Sequence, residues 1–104
     1  MKKIGIIDLG TNTFNLLLTE VSGEDYTILH KNKIPVKLGE GGITKGFITS
    51  NAYQRGLDAL KTYKNTLVKF KIDDYYAVAT SAIRSADNGA QFVNDAREQL
   101  GIHI

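Results

Sequence analysis

Two apolar runs joined by a short polar turn open the chain, and no other feature limits its fold as strongly. Residues 4–21 read IGIIDLGTNTFNLLLTEV, where a β-branched run ends at Asp8 and a second apolar run begins at Phe14. Gly10 and a cluster of small hydroxyl and amide side chains lie between the runs. Turn residues between two strand-like segments predict a β-hairpin, with strands at about residues 2–8 and 14–21.

The chemistry of this turn also suits a phosphate and its metal ion. Successive backbone N–H groups in a tight turn can cradle an anion. A carboxylate at a strand end, here Asp8, can hold Mg²⁺ through water, because that ion dehydrates reluctantly. A plain hairpin with a polar turn explains the same residues equally well, so both interpretations stay open at this point.

A third strand is predicted from Tyr26 to about Val36, which places Tyr26, Ile28, Ile34 and Val36 in one alternating register. Pro35 cannot donate to a sheet ladder and therefore marks an edge strand or a strand end. Three strands joined by short turns are typical of an antiparallel meander. The loop that follows is rich in glycine and contains Gly39, Glu40, Gly41, Gly42, Lys45 and Gly46.

The segment from about Asn51 to Lys71 is predicted to be a helix, because its apolar residues recur at spacings of three and four. Thr49, Ser50 or Asn51 can cap this helix. The apolar stripe comprises Tyr53, Leu57, Leu60, Tyr63, Leu67 and Phe70. A neighbouring stripe of small residues, suited to close packing on a sheet, comprises Ala52, Gly56 and Ala59.

An uncharged run from Tyr75 to about Thr80 predicts a fourth strand, buried on both faces. A second helix is expected from about Asn88 to Leu100, capped by Asp87 or Asn88 and ended by Gly101. Residues 102–104 resemble the beginning of a fifth strand. The predicted order is β-β-β-α-β-α-β, a mixed sheet with helices packed on it, and we expect one domain truncated from a longer protein.

Composition excludes several classes of protein. The chain has 104 residues, which suits one domain, and no cysteine, which excludes disulfides and thiolate metal sites. No apolar stretch approaches the roughly 20 residues that span a bilayer, and Asp8 interrupts the first apolar run too early for a signal peptide. We therefore expect a cytoplasmic protein with no membrane partner. His30 and His103 lack a metal-ligand spacing and are interpreted as strand residues.

The net charge of +2 hides an asymmetry along the chain. Residues 27–71 contain nine Lys or Arg against two acidic residues, so this segment carries +7 and the flanks together carry −5. A basic middle segment can steer a polyanion toward the protein. A solvated strand edge and helix face explain the same charges, and no pattern indicates specific nucleic-acid binding.

Three motifs together resemble the exopolyphosphatase and guanosine pentaphosphate phosphohydrolase family (Ppx/GppA). They are residues 8–14 (DLGTNTF), residues 38–41 (LGEG) and residues 78–84 (VATSAIR). The first motif alone would indicate only the actin-like ATPase superfamily, and the ATSAIR string narrows the resemblance. The motifs occur in the family's order, and the resemblance covers essentially the whole chain.

The resemblance implies a ribonuclease-H-like domain of the α/β class, with a five-stranded sheet of order 3-2-1-4-5 in which strand two is antiparallel to the rest. That order puts the third strand at the edge, where Pro35 is tolerated. The family's catalytic module has two such domains, with the active site between them. Its reaction is magnesium-assisted hydrolytic release of a terminal phosphate from polyphosphate or guanosine pentaphosphate.

Site residues are carried over from the matching motifs. Asp8 corresponds to the metal-associated aspartate, and the loop that approaches the phosphate comprises Gly10, Thr11, Asn12 and Thr13. Arg84 corresponds to an arginine that pairs with phosphate oxygens, although without the motif it would be interpreted as a surface ion pair with Asp87. Asn15, where some members of the family have histidine, is expected to line the cleft together with Gly39, Glu40 and Gly41.

The resemblance places the family's catalytic base, a glutamate, beyond Ile104, so no catalytic residue is expected within these residues. Glu40 is not assigned as the base, because nothing in the sequence brings it to an attacking water. The expected partners are polyphosphate or guanosine pentaphosphate and a C-terminal domain of the same chain, and an exposed domain interface would favour a homodimer. The alternatives are a non-catalytic phosphate- or nucleotide-binding module and an actin-like sugar kinase domain.

Overall fold

A computed structural model of the chain describes residues 2–41 and 46–104, so Gly42 and Lys45 of the expected loop lie outside the described residues. Four strands and three helices are present there. They are β1 (Lys2–Leu9), β2 (Thr13–Ser22), β3 (Asp25–Pro35), α1 (Ser50–Lys69), β4 (Asp74–Ala79), α2 (Ser81–Ser85) and α3 (Gly89–Leu100).

The strands form one mixed sheet of order β3-β2-β1-β4. β2 is antiparallel to both of its neighbours, and β1 is parallel to β4. This agrees with the predicted meander and with the predicted order of the first four strands. β3 ends at Pro35 on the edge of the sheet, as a residue without an N–H group requires.

The register predicted for β3 is wrong. The pairing skips a residue between Leu18 opposite His30 and Thr19 opposite Ile28, which is a β-bulge. A bulge shifts every side chain beyond it to the other face of the sheet. Ile28 therefore lies on the exposed face, whereas Ile34, opposite the buried Phe14, lies on the core face.

The prediction that β4 is buried on both faces is also wrong. Helices cover one face of the sheet. The other face, here called the open face, carries Ile6 and Leu17 on the two central strands and Tyr76 and Val78 on the edge strand β4. Tyr76 is 60% exposed and Val78 is 53% exposed. The uncharged run that begins at Tyr75 therefore reflects an exposed apolar surface on one face of the strand, not burial of both faces.

α1 anchors the core under the hairpin. The Thr49 side chain caps it by accepting from the Ala52 amide, which selects one of the three expected caps. The small-residue stripe is buried, and the predicted apolar stripe is buried except at Tyr53 and Phe70, which are partly buried. Gly56 lies where a Cβ atom would come within 2.8 Å of the Phe92 ring, so the small-residue stripe permits close packing against α3. The buried Tyr63 hydroxyl donates to the Phe14 carbonyl at 2.7 Å.

The region after β4 differs most from prediction. A short helix, α2, precedes α3 and was not expected. Asn88 sits at the N-cap of α3, but its side chain binds the backbone of Ile48 and makes no cap hydrogen bond. Gly101 ends the helix in the left-handed conformation, as predicted.

The expected fifth strand is absent from the part of the chain that the structure describes, where the sheet has four strands. Residues 102–104 form no strand; Ile102 is fully buried in the core, and its amide donates to Ala96 at the end of α3. His103 is therefore not a strand residue, although His30 is. Across residues 2–41 and 46–104, the structure contains no helix with the length and hydropathy that a membrane crossing needs.

The ionisation of Tyr63 is expected to lower the stability of the fold at alkaline pH. Burial raises the pKa of Tyr63 to about 12, whereas the pKa of tyrosine in an unfolded chain is about 10. The stabilising effect of neutral Tyr63 is therefore complete below about pH 10 and is lost as the pH rises toward 12. Tyr63→Phe is expected to lower the free energy of unfolding by about 1–3 kcal/mol at neutral pH and to flatten its decline above pH 10, measured by urea denaturation.

Tyr26→Phe is the matched control, because Tyr26 is 68% exposed. It should leave both the neutral-pH value and the alkaline decline unchanged. An alkaline decline of equal steepness in wild type and Tyr63→Phe would contradict this account.

Candidate functional site

The site expected from the sequence lies where parallel strands end. β1, β3 and β4 all run in the same direction, so their carboxyl ends meet at one edge of the sheet. The turn after β1, the segment after β3 and α2 after β4 all leave from this edge. Ligands of open α/β sheets commonly bind at such an edge.

The turn after β1 is held by backbone hydrogen bonds to residues 36–38. The Asn12 carbonyl accepts from the amides of Val36 and Lys37 at 2.9 and 2.8 Å, and the Thr11 carbonyl accepts from Leu38 at 2.7 Å. Within the turn, the Gly10 amide donates to the Thr13 carbonyl at 3.1 Å. A Cβ atom on Gly10 would lie 2.9 Å from that carbonyl oxygen, so glycine suits this close approach.

These bonds also orient the amides of the turn. In a trans peptide the C=O and the following N–H point in opposite directions, and the structure contains no cis peptide among the described residues. With the Thr11 and Asn12 carbonyls directed at residues 36–38, the N–H groups of Asn12 and Thr13 point to the opposite side of the turn. Two successive amides arranged in this way are donors suited to an anion.

Asp8 lies on the open face, one residue before the end of β1. It is directly opposite Asn15 on β2 and beside Val78 on β4. Asp8 and Asn15 line a shallow depression together with Lys31 and Lys33 of β3. Asp8 and Asn15 therefore lie side by side, and the depression includes two basic side chains.

Arg84 projects from α2 on the other side of the turn. It is exposed and lines a depression with Ala79, Thr80 and Ser85. In the described ranges Arg84 makes no ion pair, so the alternative contact with Asp87 does not form there. Thr80 connects this side to β1, because its amide and hydroxyl both donate to the Leu9 carbonyl, at 3.1 and 3.0 Å.

Gly39 and Glu40 lie beside the turn and share a depression with Thr11, Asn12, Thr13, Pro35 and Lys37. The Glu40 carboxylate is 3.5 Å from the Arg55 guanidinium, so it belongs to an ion pair with α1. Gly41 has a φ of 76° and does not line that depression. Asp8, Glu40 and Arg84 therefore border three neighbouring depressions instead of one pocket.

In the described part of the chain, no three His, Asp or Glu side chains lie close enough together to hold a metal ion by themselves. A cation at this edge would rely on the Asp8 carboxylate and the Asn15 amide oxygen. Two oxygen donors fit Mg²⁺, which keeps several waters and takes further oxygens from a bound phosphate.

Comparison with known proteins identifies the family of this chain. The model of the Ppx/GppA phosphatase family matches residues 17–104. The chain belongs to the Ppx/GppA phosphatase family. A crystal structure of an exopolyphosphatase from Cytophaga hutchinsonii is similar to 98% of this chain, with a TM-score of 0.95 and 40% identity. That match includes the turn after β1, which precedes the residues matched by the family model.

Two curated relatives extend the comparison of this Ppx/GppA chain. It is 33% identical over 105 residues to a bifunctional 3-dehydroquinate synthase/phosphatase of Fusobacterium nucleatum, covering 94% of this chain and 16% of that protein. It is 28% identical over 96 residues to a putative exopolyphosphatase of Haemophilus influenzae, covering 92% of this chain and 30% of that protein. It also spans 33% of the Cytophaga structure, so all three relatives are much longer.

Sequence reasoning missed the residues that support the Ppx/GppA turn. Thr80 lies within the ATSAIR string but was assigned no role, and Arg55 was counted only as a charge. Val36 and Leu38 are apolar residues two positions apart, a spacing that predicts burial of both side chains. That spacing does not show that their amides hold the turn. A short motif shows which side chains are present, whereas backbone contacts between residues 24 to 27 positions apart depend on tertiary structure.

Thr80→Val tests the connection between α2 and β1. Valine keeps the shape of threonine but removes the hydroxyl that donates to the Leu9 carbonyl. We expect the free energy of unfolding to fall by about 1 kcal/mol, measured by urea denaturation. Thr80→Ser keeps the donor and should retain most of this stability; equal losses in the two variants would contradict the role of the hydroxyl.

Proposed function

We propose that this edge of the sheet binds the terminal phosphates of polyphosphate or guanosine pentaphosphate. The observation that carries the proposal is the pair of Asn12 and Thr13 amides, turned outward by the hydrogen bonds of the preceding carbonyls. Arg84 offers a planar, charged fork without an ion-pair partner in the described ranges, a donor that suits phosphate oxygens. Relatives named exopolyphosphatase support polyphosphate as one substrate.

Magnesium belongs to the same proposal. Asp8 and Asn15 would hold it, directly or through water, beside the turn that binds phosphate. The bound ion would neutralise charge on the phosphate oxygens. Asp8 fits this role because it lies next to the turn and forms no ion pair within residues 2–41 and 46–104.

The proposed reaction is hydrolysis of a terminal phosphoanhydride. A water oxygen forms a bond to the terminal phosphorus, the bond to the bridging oxygen breaks, and the shortened chain leaves with that oxygen. Phosphoryl transfer depends mainly on positioning and charge stabilisation, which the turn and Arg84 supply. A base that accepts the proton of the water is proposed to be a glutamate elsewhere in a longer protein, because Glu40 is paired with Arg55.

The chain covers about a third or less of its relatives, so the activity of the whole protein is itself a proposal. We propose a longer cytoplasmic protein in which these residues form the N-terminal domain and a second domain completes the cleft. On this proposal the 104 residues bind phosphate chains but do not hydrolyse them. Family membership favours a phosphatase over the sugar kinase alternative.

A non-catalytic phosphate-binding module is the second candidate. This candidate is favoured because no free carboxylate is available there to act as the base. Glu40 is the only carboxylate of the described residues in the depression beside the turn, and it is paired with Arg55. Release of inorganic phosphate from polyphosphate, compared between the 104-residue chain and the full-length gene product, separates the candidates. Turnover by the longer protein alone supports the hydrolase, and none by either supports the binding module.

Binding by the chain itself can be measured by titration calorimetry with tripolyphosphate and Mg²⁺. Arg84→Lys should weaken binding about tenfold, because lysine cannot form the paired hydrogen bonds of a guanidinium. Asp8→Asn should remove the dependence of affinity on Mg²⁺ and leave metal-free binding in place.

Arg97→Lys is the matched control, because Arg97 is an exposed arginine on α3 that is paired with Glu98. It should bind tripolyphosphate like wild type. Equal weakening by Arg84→Lys and Arg97→Lys would show a general charge effect and contradict the assignment of Arg84.

A further inference from the structure

Arg55 connects α1 to the segment after β3. Its Nε donates to the Val36 carbonyl at 2.7 Å, and one terminal nitrogen donates to the Lys37 carbonyl at 3.1 Å. The same terminal nitrogen is 3.5 Å from the Glu40 carboxylate. Two carbonyls and one carboxylate thus share a single guanidinium, whose fixed fork holds them at set directions.

The segment that Arg55 holds is the one that holds the turn. Val36 and Lys37 accept from Arg55 through their carbonyls and donate to the Asn12 carbonyl through their amides. A displacement of this segment would therefore change the direction of the Asn12 carbonyl and, with it, of the Thr13 N–H group.

The backbone conformation of Lys37 also depends on these contacts. Its φ is 50°, in the left-handed region that a residue with a Cβ seldom adopts. Such a conformation persists only where the surroundings hold it. Here the amide of Lys37 donates to the Asn12 carbonyl, and the carbonyl of Lys37 accepts from the Glu40 amide at 3.0 Å and from Arg55.

We propose that Arg55 is a positioning residue for the phosphate-binding turn, acting through residues 36–38. Its effect on the turn follows from the contacts above, and its effect on ligand affinity rests on the proposed function. The ion pair with Glu40 is the lesser part of this role, because the Arg55 and Glu40 side chains are 37% and 59% exposed, and pairs that water reaches contribute little.

Amide hydrogen exchange, followed by NMR in the ligand-free chain, tests the proposal without any ligand. Arg55→Met removes the donors and the charge, whereas Arg55→Lys keeps the charge but loses the fork. Both should accelerate exchange of the Val36, Lys37 and Leu38 amides about tenfold, the effect of a lost charged hydrogen bond. Amides in the ladder between β1 and β2, such as that of Leu17 opposite Ile6, serve as the internal reference, and Arg97→Lys is the control variant.

Three outcomes overturn the proposal: unchanged exchange at residues 36–38, an equal acceleration throughout the β1–β2 ladder, or full protection retained in Arg55→Lys. The second would show a general loss of stability, and the third would show that charge alone suffices.

Tripolyphosphate calorimetry then separates this inference from the proposed function. Weaker binding in both Arg55 variants, beside unchanged binding in Arg97→Lys, extends the positioning role to the ligand. A wild-type chain that does not bind tripolyphosphate overturns the proposed function. The exchange experiment uses no ligand, so it still tests the positioning role of Arg55.

Discussion

The carbonyl oxygens of Thr11 and Asn12 accept three hydrogen bonds from the amides of residues 36–38, and the geometry of the candidate site depends on these bonds. They join the first hairpin to the segment that follows the third strand. They also decide which way the intervening amides point, because peptide planarity couples each N–H to the preceding C=O. The anion-binding role that we propose for the turn is thus a consequence of the hydrogen bonds that its carbonyls accept.

The rest of the domain keeps this arrangement rigid. The Tyr63 hydroxyl donates to the backbone of β2, and the Thr80 hydroxyl, just after β4, donates to the last residue of β1. Arg55 donates to the segment that holds the turn. The same sheet leaves its other face open, with Asp8 at one end of it and exposed Tyr76 and Val78 beside it. The candidate metal ligand therefore lies at a border between a well-packed core and a surface that the described residues leave exposed.

Much of this architecture could be predicted from the sequence, because strong local signals and the tertiary structure agree. The hairpin, the long helix and the glycine that ends α3 each have a local physical cause. The predictions failed where long-range contacts decide: a bulge reversed the register of β3, Ile102 entered the core instead of starting a strand, and α2 formed in five residues. For the site, the motifs indicated Asp8, the turn and Arg84, but not the backbone support from residues 36–38.

The central claim is that phosphate binds at the outward amides of the turn, between Asp8 and Arg84. An NMR titration of the chain with tripolyphosphate and Mg²⁺ tests it most directly. We expect the largest amide shift changes at Asn12 and Thr13, accompanied by changes in the Arg84 side chain. Changes centred on Lys31 and Lys33 with an unperturbed turn would contradict it, because they would show that general attraction to the basic strand accounts for binding.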